Sequence, residues 1–331
     1  MLHSLHLTLC RFRSALLVLA LFATGAASPH HLIAADKPTA KTTPKFRIVG
    51  YLPEYRAAQL DPDVGKYLTD LIYFSAKPGR DGDLHLDNIK REHIARLQKI
   101  KQQHHMALLL CVGGWERSTD FPRVAAFEAS RQRFAAALVK FCRDHEFDGA
   151  DLDWEHPQNE AEQRDYGLLL ATIRRAFEPL KLQLTIAVAG WQGLTDEAIK
   201  SVDRVHLMAY DANGRHSTME FAQADVARLQ KTGVAPDQIC LGVPFYGRGI
   251  DDRSKTLLYS EIVTKIQPAP DVDEVAGVYF NGPQTIEQKT KFAMSKKLAG
   301  IMIWELGQDA PGERSLLRLF HRTAIHSPTA K

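Results

Sequence analysis

Four acids fall within one short stretch of this chain, Phe147-Asp148-Gly149-Ala150-Asp151-Leu152-Asp153-Trp154-Glu155-His156. Read as a β-strand, the stretch alternates its side chains, so Asp151, Asp153 and Glu155 share one face at steps of about 6.6 Å. Carboxyls packed so closely repel one another, and a site that excludes water penalises their charged forms further. At least one of them should therefore hold a proton near neutral pH, as a general acid must. Glu155 comes last, nearest the strand's C-terminal end, and is the donor this reading selects.

Two other readings compete. An acid-rich strand end can be a solvated edge, but Ala150, Leu152 and Trp154 make the opposite face apolar, as in a buried strand. A carboxylate cluster can also hold a divalent cation. No His or Asn is interleaved among the acids in a ligand-like pattern, and no metal or organic cofactor is expected.

Elements of the right kind surround the stretch. From Phe46 onward, short apolar runs alternate with amphipathic ones. Candidate strands cover residues 47–51, 71–76, 107–112, 150–154, 184–189, 205–210, 239–245 and 301–304. Candidate helices cover 88–104, 121–142, 162–180, 222–231, 285–297 and 315–322. Near-continuous apolar strands in a repeating βα order predict an α/β fold, a single (β/α)8 TIM barrel, over the alternative of an open doubly wound sheet. Function in such a barrel sits at the C-terminal strand ends, where Glu155, Tyr210, Asp211, Tyr246 and Trp304 all fall.

The spacing Asp148, Asp151, Asp153, Glu155 resembles the Asp-x-x-Asp-x-Asp-x-Glu signature of glycoside hydrolase family 18, the chitinases and related endo-β-N-acetylglucosaminidases. Met208-Ala209-Tyr210-Asp211 is similar to that family's Met-x-Tyr-Asp motif, and Gly300 to Trp304 to its last strand, whose Trp forms the floor under the sugar. Leu110 to Trp115 resembles the family's Ser-x-Gly-Gly motif, with Cys111 standing where Ser is usual. A thiol is the weaker donor, so Tyr51 is expected to carry more of the work of holding Asp151. A second departure follows Arg248: the segment 249–276 has room for a helical turn near 259–266 but not for the long insertion many members carry, which implies a shallower groove and endo-acting cleavage.

The resemblance implies a retaining, substrate-assisted glycosidase acting on β-1,4-linked N-acetylglucosamine polymers, with Glu155, Asp153, Asp151 and Tyr210 catalytic. It places Tyr51, Trp115, Met208, Asp211, Tyr246 and Trp304 against the substrate. The alternatives are an endo-β-N-acetylglucosaminidase on N-glycans, a chitinase-like lectin, and a metal-dependent hydrolase using the same acids as ligands.

The chain has 331 residues, 45% hydrophobic and 24% charged, enough for a sizeable soluble core. A net charge of +3 without a long basic run argues against nucleic acid as a partner. Arg11 and Arg13 precede an apolar run from Ala15 to Ala23 and then small residues, which reads as a secretion signal over residues 1–28, with an uncleaved signal anchor as the alternative. A flexible linker is expected over 29–45 and the catalytic domain over 46–325. The expected product is a secreted or periplasmic monomer with no stable membrane insertion, whose partner is chitin or another N-acetylglucosamine-containing glycan. Cys111, Cys142 and Cys240 sit among apolar residues and are expected as buried thiols.

Overall fold

A computed structural model of the chain describes residues 46–326. The expected signal segment and linker, through Lys45 and including Cys10, lie outside the described residues. Eight parallel strands close into a barrel: β1 (Arg47–Pro53), β2 (Asp70–Pro78), β3 (Ala107–Gly113), β4 (Gly149–Asp153), β5 (Gln183–Ala189), β6 (Arg204–Met208), β7 (Ile239–Pro244) and β8 (Gly300–Trp304). Closure is the pairing of β1 with both β2 and β8, which rules out the open sheet.

The strands read as continuous apolar runs because both of their faces are covered. One face lines the lumen, where Val49, Ile72, Leu109, Cys111, Cys240 and Met302 pack together. The other faces a shell of helices: α1 (Arg91–His104), α2 (Phe121–Ala126), α3 (Glu128–Asp144), α4 (Glu160–Phe177), α5 (Asp196–Ser201), α6 (Met219–Lys231), α7 (Tyr259–Lys265), α8 (Pro283–Ser295) and α9 (Leu316–His326). Side-chain caps start several of them. Asn159 accepts from Glu162 N–H ahead of α4, Thr195 from Ala198 N–H ahead of α5, and Thr218 from Phe221 N–H ahead of α6.

The stripe from Phe121 to Cys142, read as one helix, is two. Phe127 adopts an extended backbone (φ −105°, ψ 126°) that ends α2 and opens α3. After β7 the segment holds more than the expected turn: strands at Tyr246–Gly249, Thr256–Leu258, Glu274–Val275 and Val278–Tyr279 form a small antiparallel sheet, with α7 between them. Strands of two to four residues carry too little alternation to be seen in sequence. Among the described residues no helix is long and apolar enough to cross a membrane.

Candidate active site

Register decides what the acids face. Within the barrel Asp151 lies opposite Cys111 on β3 and Thr185 on β5, and Asp153 lies opposite Gly113. Trp154 points the other way, into the shell, where it stacks on Phe121 with ring centroids 5.4 Å apart. β4 itself ends at Asp153, so Glu155 sits two residues beyond the strand rather than on it. Ser118 fixes that exit: its Oγ lies 3.1 Å from the Asp153 carbonyl oxygen and accepts the Glu155 N–H at 3.0 Å.

The three carboxyls occupy three environments. Asp151 is fully buried; Tyr51 donates to its Oδ2 at 2.7 Å, Thr185 donates to Oδ1 at 2.5 Å, and His206 Nδ1 stands 3.1 Å from Oδ1. Burial alone would raise its proton affinity, but His206, by charge and hydrogen bond, and the hydrogen bonds from Thr185 and Tyr51 hold it below the ordinary range. Asp153 is 3% exposed and has no such partners, and its Oδ1 has no hydrogen bond. Burial, then the charges of Glu155 and Asp151, push it well above its ordinary value. Glu155 keeps 15% of its side chain exposed. Burial and then the Asp211 charge lift it to about 7, against hydrogen bonds from the Trp115 backbone and Asp153.

A second group forms where β6 ends. Met208 and Tyr210 are half-buried, and the Tyr210 hydroxyl lies 3.9 Å from Met302 Sδ. Asp211 turns through a left-handed backbone (φ +64°), which Asp tolerates better than most residues. Its carboxyl accepts from Tyr246 at 2.7 Å and pairs with Arg248 at 3.1 Å, while His216 Nδ1 stands 3.6 Å away. Burial would raise Asp211, but His216, Tyr246 and Arg248 hold it below the usual range.

Aromatic rings complete the mouth. Trp304 is half-buried and packs on Phe74 and Tyr51, with centroids 4.8 and 5.8 Å away. Trp115 is 69% exposed. Tyr51, expected against the substrate, is only 1% exposed, with its hydroxyl bonded to Asp151 and 2.9 Å from His206 Nδ1. It lies beneath the acids rather than at the surface. Cys111 is buried, and burial followed by the Asp151 charge pushes its thiol far up, so it remains protonated beside that carboxylate. Among the described residues no group of three or more His, Cys, Asp or Glu side chains is placed to hold a metal ion.

Sequence reasoning passed over His206, Thr185, Ser118 and Arg248. His206 had a signal, since it precedes Met208 and Tyr210 by two and four residues and therefore shares their inward face. Ser118 had none, because its contact with Asp153 spans a loop.

Carboxyls with separated proton affinities at the mouth of a (β/α)8 barrel define an acid/base site of the kind hydrolases carry. Residues 47–309 match the family model for glycosyl hydrolases family 18, and the chain belongs to that family. It is 26% identical over 283 residues to "Probable chitinase 2" of Drosophila melanogaster, a match covering 65% of this chain and 58% of that protein. With "Endochitinase 1" of Metarhizium robertsii it shares 28% over 275 residues, 66% of this chain and 65% of that one. The chain thus spans less than two thirds of either relative. A crystal structure of the family 18 chitinase ChiB from the chitin utilization locus of Flavobacterium johnsoniae superposes with a TM-score of 0.76 at 28% identity, covering 85% of this chain and 94% of that one.

Proposed function

We propose that the protein is a secreted or periplasmic endo-acting chitinase that cleaves β-1,4-linked N-acetylglucosamine polymers by substrate-assisted catalysis with retention. The observation that carries this reading is the arrangement of the three carboxyls: Asp151 buried and held by Tyr51, Thr185 and His206, Asp153 buried beside it with its proton affinity pushed well up, and Glu155 partly exposed with its own pushed up to about 7.

Glu155 protonates the glycosidic oxygen while the 2-acetamido carbonyl of the same sugar attacks the anomeric carbon. The attack is intramolecular and gains from high effective molarity. Burial that favours its neutral form makes Asp153 a poor nucleophile, which supports the substrate's own acetamido group in that role. The Asp153 carboxyl accepts the acetamido N–H, and as positive charge grows there the Asp153 proton moves toward Asp151, so the pair answers the charge as one unit. Water then opens the oxazolinium ion with Glu155 as base.

Tyr210 donates to the acetamido oxygen, and Asp211 helps hold the distorted sugar above Trp304, with Trp115, Met208 and Tyr246 lining the groove. Tyr51 acts indirectly, by fixing Asp151. The segment after β7 holds four short strands and one short helix rather than a long insertion, which supports cleavage within chains.

The test is hydrolysis of acetylated chitin oligosaccharides and of a high-mannose N-glycopeptide, by wild type and Glu155→Gln. Cleavage of the oligosaccharides that drops by at least about a thousandfold in the variant is the expected result. Release of the N-glycan alone would move the protein to the endo-β-N-acetylglucosaminidases, and binding without turnover would make it a lectin. Fully deacetylated chitosan is expected not to turn over; equal rates on both polymers would rule out the acetamido nucleophile.

A further inference from the structure

His156 follows Glu155 directly, and the reaction above gives it no part. Its Nδ1 lies 3.2 Å from Gln192 Oε1, and its Nε2 lies 3.7 Å from Glu155 Oε2. Its ring meets Trp191 with centroids 4.8 Å apart at 63°. Gln192 is 2% exposed and turns its Oε1 to the ring, leaving its own Nε2 without a partner; in this arrangement the neutral imidazole carries its proton on Nδ1. Nε2 then turns a lone pair toward Glu155. Burial holds His156 below the ordinary histidine range, against the Gln192 hydrogen bond, so the ring is neutral where the site would work.

A lone pair beside a carboxyl disfavours its anion and accepts from its acid form, and both effects retain the proton. We propose that His156 is a positioning residue: locked by Gln192 and braced by Trp191, its Nε2 accepts the Glu155 carboxyl proton and keeps that acid loaded at neutral pH. At 3.7 Å the pair stands beyond hydrogen-bond distance in this structure, so the proposal requires the two side chains to close on one another when Glu155 carries its proton. The other groups facing Glu155 are Asp153 from β4, Asp211 and Tyr210 from the end of β6, Cys111 on β3 and the Trp115 backbone N–H after β3. None of them offers a neutral ring nitrogen as acceptor. The inference rests on the role proposed for Glu155.

Proton binding at Glu155 is read directly by carboxyl-13C NMR titration of the substrate-free protein, its resonance assigned by its loss in Glu155→Gln. His156→Phe retains a ring against Trp191 but removes both nitrogens. It is expected to lower the midpoint by about half a pH unit, roughly threefold in affinity, and to move the basic limb of kcat/KM with it. Gln192→Leu, which unlocks the ring, should shift the midpoint the same way by less. A lowered rate with an unmoved midpoint makes His156 merely structural and overturns the proposal. An upward shift puts the proton on Nε2 and overturns it too. Should His156→Phe fail to fold by circular dichroism, Gln192→Leu decides alone, and an unmoved midpoint sinks the idea. A shifted midpoint in a protein that hydrolyses nothing supports the contact and counts against the proposed activity; hydrolysis with no shift does the reverse.

Discussion

Asp151, Asp153 and Glu155 differ in proton affinity because their neighbours differ, and their pH behaviour follows. Glu155 must carry its proton to donate it, so the fraction able to act falls above about 7. The basic limb of kcat/KM for oligosaccharide hydrolysis is expected near that value, with a tenfold fall for each further unit; a limb several units higher would exclude Glu155 as the donor. Stability carries the same signature. The folded protein holds the Glu155 proton more tightly than the unfolded chain, whose value is near 4.5. The stabilising contribution is therefore complete below about 4.5 and is lost as pH rises through about 7. The gap corresponds to about 3 kcal/mol. Glu155→Gln, neutral throughout, should match wild type in urea denaturation near pH 4 and exceed it by up to about 3 kcal/mol above pH 8.

The turn leaving β3 shows how an element holds the site. Gly113 and Gly114 have φ of +103° and +101°, and a Cβ on Gly113 would lie 2.2 Å from the Asp153 carbonyl oxygen. Gly113→Ala therefore strains the backbone and pushes on the strand that carries the acids. A loss of at least about 2 kcal/mol in urea denaturation is expected, with activity falling further than stability alone accounts for. Unchanged stability would mean that the two strands separate more easily here than their register implies. Sequence made this region legible wherever periodicity ran long enough. The strands were readable because each is a near-continuous apolar run, and the acid spacing because two-residue alternation puts Asp151, Asp153 and Glu155 on one face. Phe127 was not readable as a break, since an apolar residue in an apolar stripe gives no sign that its backbone is extended. Thr185 lies on an expected strand, but its inward side and its partner Asp151 emerge only once β4 and β5 are in register.

Across the whole molecule, closure makes the first strand depend on the last: Arg47 to Gly50 pair with Gly300 to Ile303. No single strand can leave without opening the lumen. Closure also sorts the described thiols, all of them free. Cys111 and Cys240 are 0% exposed inside the barrel, whereas Cys142, 2% exposed, sits on α3 with its Sγ 3.5 Å from the Gly149 carbonyl oxygen. A thiol buried this deeply reacts only when its surroundings open, so each cysteine is a clock for a different excursion of the native state. Alkylation under native conditions, followed peptide by peptide in a mass spectrometer, should show Cys142 modified first as the outer helix lifts. Cys111 and Cys240 should follow together at one slower rate, set by the barrel opening as a unit. If Cys111 instead ran ahead of Cys240, the floor beneath the acids would breathe separately from the rest of the lumen, and the site would be softer than its own scaffold.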